Sequence, residues 1–267
     1  MTIPFVKAHG ARNDFLLTWE DGAGAADEPA AARAICDRHT GVGADGWILV
    51  APAGEREDYD YAIRLFNSDG SAPEISGNGT RCAAAFVVDA GPDWKEIRLM
   101  TGAGVKLLRL LSRDGLQFVF EMNMGRPSVL ETAFQLPLSS GALQVALVDV
   151  GNPQCAVPVR DFTLPWRELG AEIERHSHFP NRTNVSFFRV LDEHTLDVRF
   201  YERGAGETMS SGTGSTGAVA AASALGMVRS PVRVLTPAGP LELRWDEEIY
   251  LVGPAEIVAA GKFLMRE

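Results

Sequence analysis

Cysteine is scarce in this chain. Its 267 residues include 3, Cys36, Cys82 and Cys155, which are odd in number, far apart and without a CxxC pair. Neither a disulfide framework nor a zinc site follows from them, and the cytoplasm is the plain expectation. Long apolar runs are missing too. The longest, Gly217 to Val228, is too short and too rich in Ala and Gly to span a bilayer. The first seven residues, MTIPFVK, lack the basic-then-apolar pattern of a secretion signal. Positive charge is in deficit, with 25 Lys and Arg against 35 Asp and Glu and a net charge of −10. That balance weighs against nucleic acid or an anionic membrane as a partner. No low-complexity segment or long linker interrupts the chain. A hydrophobic content of 46% is ordinary for a soluble globular protein and sufficient for a sizeable core.

What the chain does have is a repeat at half its length. Ile75-Ser76-Gly77-Asn78-Gly79-Thr80 runs into an Ala-rich segment, and so does Ser210-Ser211-Gly212-Thr213-Gly214-Ser215. A shift of 135 residues lays Ser76 on Ser211 and Ile63-Arg64-Leu65-Phe66 on Val198-Arg199-Phe200-Tyr201. Such a repeat suggests two similar halves. The expected boundary lies near Met124-Gly125-Arg126-Pro127, where strand-like sequence stops and Gly and Pro intervene. The halves are then residues 1–124 and 125–267, with the last strand free to return to the first half.

Strand-like runs dominate, at 61–66, 96–100, 105–111, 116–121, 144–150, 184–190, 195–201, 232–235 and 242–245. Helical patterns are few: 28–38, 77–89, 212–225 and, more weakly, 166–175. Several strands for each long helix, repeated twice, predict an α+β fold with one helix packed in each half.

Each Ser-Gly turn reads as a helix N-cap. Ser accepts from an amide of the first helical turn, whose N–H groups have no partner inside the helix, and Gly admits a ligand close to the backbone. Exposed amides and the helix dipole favour an anion such as a carboxylate. One such turn alone is more often a simple cap. Two copies, with Gly and Asn where better helix formers would serve a cap equally well, favour binding.

Other motifs carry less. Gly41 to Gly46 and Gly212 to Gly217 both match GxGxxG. The first precedes a strand-like run, and the second lacks a βαβ context and a following acidic residue. No GxSxG or SxxK supports a serine nucleophile. His176 and His178 lack a third ligand, so no metal is expected.

Taken in order, the segments resemble the diaminopimelate epimerase family over nearly the whole chain. The matches are His9-Gly10 with Asn13-Asp14-Phe15, then Asp37 through Gly46, then Phe66-Asn67-Ser68-Asp69-Gly70 through Gly77 to Cys82. Gly151-Asn152-Pro153, Phe179-Pro180-Asn181 with Thr183-Asn184-Val185, and Glu202 through Thr208 complete the set. The resemblance implies two pseudo-symmetric β-barrel-like halves, each wrapped around a central helix, with a ligand cleft between them. It implies an isomerase of lysine biosynthesis that inverts an amino-acid α-carbon with no pyridoxal phosphate, metal or other cofactor. The substrate would be a diaminopimelate-like free amino acid, and a homodimer is expected from the resemblance alone.

In the family one cysteine thiolate removes the α-proton and a second thiol donates one from the opposite face. This chain has Ser76 and Ser211 in those places, and Gln154 where a histidine usually supports one thiol. By position, Asn13, Asn67, Asn152, Asn184, Glu202 and Arg203 match the substrate-holding set, and Gly77, Asn78, Gly212 and Thr213 match the turns that hold the reacting carboxylate. Arg12 stands where a glycine is usual, and Gly46 where some members carry glutamine.

A thiol titrates near 8.5, and an alcohol, like water, far higher. The gap of about 7 units makes the serine base about 10 kcal/mol harder to form. Glu202 is the nearest carboxylate by analogy to accept a serine proton, as in other activated alcohols. Two-thiol epimerisation is therefore expected to be absent or very slow. The open alternatives are a catalytically silent amino-acid-binding or regulatory protein, and a different proton-transfer enzyme such as a dehydratase or one-base isomerase.

Overall fold

The computed structural model describes residues 2–24, 27–54, 58–91 and 94–265. It divides into two compact units, Met1–Met122 with Gly253–Glu267, and Asn123–Val252. The strand over Ile249–Leu264 spans the division, with its residues from Gly253 onward counted in the first unit.

The first unit contains β1 (Thr2–Gly10), β2 (Asn13–Trp19), a short α1 (Glu20–Ala23), α2 (Glu28–Cys36), β3 (Gly46–Pro52), β4 (Tyr61–Asn67), α3 (Gly77–Ala90), β5 (Glu96–Thr101), β6 (Gly104–Asp114) and β7 (Gln117–Gly125). The chain continues through β8 (Ser128–Leu138), β9 (Gly141–Asp149), β10 (Pro153–Pro158), α4 (Trp166–Glu174), β11 (Asn184–Asp192), β12 (Thr195–Glu202), β13 (Gly206–Thr208), α5 (Gly212–Ala224), β14 (Val232–Thr236), β15 (Gly239–Trp245) and β16 (Ile249–Leu264).

In the first unit the order is β16, β1, β2, β3, β4, β5, β6, β7, and β7 neighbours β16 to close an eight-stranded barrel. Along that path the pairings run antiparallel, antiparallel, parallel, antiparallel, parallel, antiparallel, antiparallel. The second unit runs β8, β9, β10, β11, β12, β14, β15, β16 with the same series of pairings. The sequence repeat is therefore a repeat of topology, with β4 answering to β12 and α3 to α5.

Each unit encloses one helix. Every residue of α3 from Gly77 to Val88 is buried, as is every residue of α5 from Gly212 to Ala222. A helix enclosed on all sides needs an apolar surface all round and small side chains, and the runs Cys82-Ala83-Ala84-Ala85 and Ala218 to Ala222 supply them. Enlarging such alanines would overpack the interior at a cost of about 1–3 kcal/mol each.

The strands alternate between this inner helix and an outer one. In β3, Trp47 and Leu49 join Ala31, Ala32 and Ile35 of α2 in an outer cluster. Ile48 faces inward, where a Cβ on Gly79 would stand 3.1 Å from its Cδ1. In the second unit Cys155, Val185 and Phe187 pack outward with Trp166 and Ile173 of α4. Gln154, Ser186 and Phe200 face α5, and Gly214 and Gly217 let the strands come close. A Cβ at Gly214 would meet the Phe200 ring at 2.8 Å and the Ser186 Oγ at 2.9 Å, and one at Gly217 would meet the Gln154 Cβ at 3.0 Å.

The structure departs from the sequence expectation in several places. The helix expected over 28–38 stops at Cys36, because Asp37 turns extended and its Oδ1 accepts from the amides of His39 and Thr40. Between β7, which ends at Gly125, and β8, which begins at Ser128, only Arg126 and Pro127 lie outside strands. Strands β1, β2, β8, β10, β13 and β16 are not marked by the sequence pattern. Pro4 and Gly261 read as breakers yet sit inside regular pairing, and Gly253 and Pro254 lie within β16.

Candidate active site

In the first unit, β4 ends at Asn67, and the turn that follows is closed by Asn67 itself. Its amide donates to the Ser71 carbonyl at 2.8 Å and its Nδ2 to the Ser71 Oγ at 2.9 Å. The chain then reaches Ser76, extended at φ −125° and ψ 119°, which caps α3 by accepting from the Gly79 amide at 3.1 Å. Thr80 Oγ1 donates to the Ser76 carbonyl at 2.7 Å, tightening the same turn. A cavity of about 590 Å³ within this unit is walled partly by Ser76 and Thr80 and otherwise largely by aliphatic side chains such as Ile48, Ile63 and Leu65.

Asn78, buried in the first turn of α3, belongs to a chain of polar contacts. Arg81 Nη2 donates to Asn78 Oδ1 at 2.5 Å, Asn78 Nδ2 donates to Asn13 Oδ1 at 3.2 Å, and Asn13 Nδ2 donates to Asp45 Oδ2 at 2.6 Å. Asp45 is held by Arg38 at 2.8 Å, which also grips Asp14 at 2.7 Å, and Lys7 lies 2.9 Å from Asp14. Burial alone would raise the Asp14 carboxyl, but Arg38 and Lys7 outweigh it and hold the group below its ordinary range.

In the second unit, β12 ends at Glu202 and Ser211 caps α5 in the same way, extended at φ −138° and ψ 122°, accepting from the Gly214 amide at 3.0 Å. Here the serine has an additional partner: Ser211 Oγ donates to Glu202 Oε1 at 2.7 Å. A hydroxyl donating to a carboxylate makes a short, charge-assisted bond. The bond points the serine proton at an acceptor, while the helix N-terminus favours negative charge on the oxygen left behind. Within its own unit Ser76 has no carboxylate partner among the described residues. The strand ends explain the contrast, because the shift that pairs the two serines pairs Asn67 with Glu202.

The remaining residues proposed from sequence gather near β10, β11 and the end of β12. Asn184 Nδ2 donates to the Pro153 carbonyl at 3.1 Å and its Oδ1 accepts from the Arg203 amide at 3.1 Å. Arg203 Nη1 reaches the Asn181 carbonyl at 3.3 Å. Gln154 Nε2 donates to Asn152 Oδ1 at 2.6 Å, and Gln154 Oε1, although buried, has no hydrogen-bond partner among the described residues. Buried Glu174 braces the adjoining loop, accepting from the Gly204 amide at 3.3 Å and pairing with Arg182. Gly212 and Thr213 lie buried in the first turn of α5, as Gly77 does in α3.

The cysteines offer no substitute base. All three are buried, and burial pushes the Cys36 and Cys82 thiols up to about 12 and Cys155 higher still. His176 is tied to the Pro137 carbonyl at 2.8 Å, and no group of three potential metal ligands occurs among the described residues. Sequence reasoning gave no role to Arg81, Asp45 or the Lys7–Asp14–Arg38 cluster. Arg81 could have been noticed as a lone cation in an otherwise apolar helix.

Among solved structures, the fold is similar to a hydroxyproline epimerase from Agrobacterium vitis, with a TM-score of 0.74, 17% identity and coverage of 98% of this chain and 92% of the other. It is also similar to a phenazine biosynthesis protein of the PhzF family from Bacillus anthracis, with a TM-score of 0.72, 17% identity and coverage of 99% and 100%. These likenesses define the class, a two-unit α+β fold of the epimerase and isomerase type.

The model of the family described as diaminopimelate epimerase matches residues 5–130 and 146–258. The diaminopimelate epimerase of Pelotomaculum thermopropionicum is 38% identical over 280 residues, covering 98% of this chain and 99% of that protein. Diaminopimelate epimerase 1 of a Nostoc strain is 39% identical over 286 residues, covering 98% and 100%. The chain belongs to the diaminopimelate epimerase family.

Proposed function

We propose that this chain binds a free amino acid of the diaminopimelate type and moves its α-proton slowly, from one side, through Ser211. The observation that carries the reading is the 2.7 Å bond from Ser211 Oγ to Glu202 Oε1. In the proposed step Ser211 Oγ takes the α-proton while its own proton passes to Glu202, leaving a carbanion conjugated with the substrate carboxylate. Reprotonation through the same pair returns the original configuration with a solvent proton in place. Each Ser-capped turn, taken by itself, offers its first amides to a carboxylate.

Two-thiol inversion is not open to a chain with serine at both positions. Serine is the weaker base by about 10 kcal/mol on the free-group scale, of which a hydrogen-bonded carboxylate offsets only part. Exchange is therefore slow, and inversion slower still because Ser76 has no carboxylate partner of its own unit among the described residues.

A second reading, a catalytically silent amino-acid-binding protein, is favoured by Gln154. Its amide holds Asn152 at 2.6 Å in the place where the family usually carries a titratable imidazole. Calorimetric titration with LL-diaminopimelate, combined with α-proton exchange in deuterated water, separates the two. Binding with exchange supports the first, binding without exchange the second, and absence of binding defeats both.

A further inference from the structure

Arg81 is the largest charged side chain in the interior of the first unit, with none of its surface exposed. Burial lowers its pKa only to about 10, so it stays a cation at neutral pH. Among the described residues no carboxylate pairs with it. Nε donates to the Pro254 carbonyl at 3.2 Å, Nη2 to Asn78 Oδ1 at 2.5 Å, and Nη1 has no hydrogen-bond partner among the described residues. A buried charge without a counter-charge is costly, and a protein retains one where something repays it.

The fold does not itself require a cation at this place. The equivalent residue in the repeat is Thr216, whose Oγ1 simply bonds back to the Gly212 carbonyl at 2.8 Å. The first unit also makes room for the guanidinium. A Cβ at Gly253 would lie 2.9 Å from the Arg81 Cζ and 3.0 Å from its Nε. Arg81 sits four residues beyond Gly77, about one helical turn behind the amides that the Ser76 turn leaves without intrahelical partners.

We propose that Arg81 is the positioning residue of the Ser76 turn: its buried charge draws a ligand carboxylate to the first amides of α3, and its Nη2 fixes the orientation of the Asn78 amide. The proposal rests on the reading of that turn as a carboxylate holder, and it makes the two repeats electrostatic opposites. The turn at Ser76 is backed by a cation and holds negative charge. The turn at Ser211 is faced by Glu202 and accepts a proton.

The test uses the full chain, titrated calorimetrically with LL-diaminopimelate and with its diamide, in which both carboxylates are neutral carboxamides. Arg81→Met should weaken binding of the diacid at least tenfold and leave the diamide nearly unchanged, while Arg81→Lys keeps part of the preference. A purely structural role would weaken both ligands alike, and that result overturns the electrostatic part of the proposal. The orientation of Asn78 is read separately from its side-chain amide resonances in the ligand-free protein. These should shift in Arg81→Lys and in Gly253→Ala, which displaces the guanidinium without removing it. Unmoved resonances in both variants overturn the positioning role. Should the unmodified chain bind neither ligand, the proposed function fails, and the Asn78 resonances still decide whether Arg81 orients this turn.

Discussion

Replacing each capping serine by alanine should give unequal costs, and the inequality follows from one bond. Ser76 Oγ accepts from the Gly79 amide at 3.1 Å and Ser211 Oγ from the Gly214 amide at 3.0 Å, so each substitution removes one N-cap. An N-cap is worth about 1 kcal/mol. Ser211→Ala also takes from Glu202 a hydroxyl donor at 2.7 Å. Bonds to charged groups contribute about 1.5–3 kcal/mol, and water reaching a half-buried carboxylate replaces part of that. Ser76→Ala should therefore cost about 1 kcal/mol and Ser211→Ala about 2–3 kcal/mol. Native-state hydrogen exchange measures each locally, through the amides of the first turns of α3 and α5. In a Glu202→Gln background the excess cost at Ser211 should shrink, because the amide oxygen is a weaker acceptor than a carboxylate. Equal costs for the two serines, or no coupling between Ser211 and Glu202, would refute the activated-serine reading.

Three further outcomes are expected. An aromatic disulfide reagent should label none of the 3 cysteines in the folded protein and all of them in denaturant, since all are buried and their thiols are held above the ordinary range. Asp14, whose carboxyl is lowered by Arg38 and Lys7 against its burial, contributes stability that is complete above its unfolded value near pH 4 and lost as pH falls through the lower folded value. Urea unfolding should show a loss on acidification below about pH 4 that is shallower in Asp14→Asn. The double substitution Ser76→Cys with Ser211→Cys should raise α-proton exchange of diaminopimelate by at least tenfold, because thiols are the easier bases to form. An unchanged rate would refute the assignment of the proton transfer to these serine positions.

The repeat was legible because the chemistry of a capped, glycine-containing first turn is local: Ser76 and Ser211 announce themselves without any knowledge of packing. Its full extent was not. The matching series of parallel and antiparallel pairings depends on contacts such as β4 with β5 and β12 with β14 that leave no local mark. Strands with internal Gly and Pro, β16 above all, were hidden because tertiary pairing overrides local propensity. At the candidate site, Asn184, Arg203 and Glu202 are candidates by resemblance, but the hydroxyl-to-carboxylate bond needed the fold. Arg81 lay in plain view within Gly77 to Cys82, yet its significance comes from complete burial without a carboxylate partner, which only three-dimensional packing reveals.

The central claim is that Ser211 with Glu202 moves an α-proton. The direct measurement is the rate of deuterium incorporation at the α-carbons of LL-diaminopimelate in deuterated water, followed by NMR with the unmodified chain, Ser211→Ala and Glu202→Gln. The account predicts slow incorporation with retained configuration in the unmodified chain, abolished by Ser211→Ala and reduced at least tenfold by Glu202→Gln. Incorporation that survives both substitutions, or rapid conversion to the meso form, would contradict it.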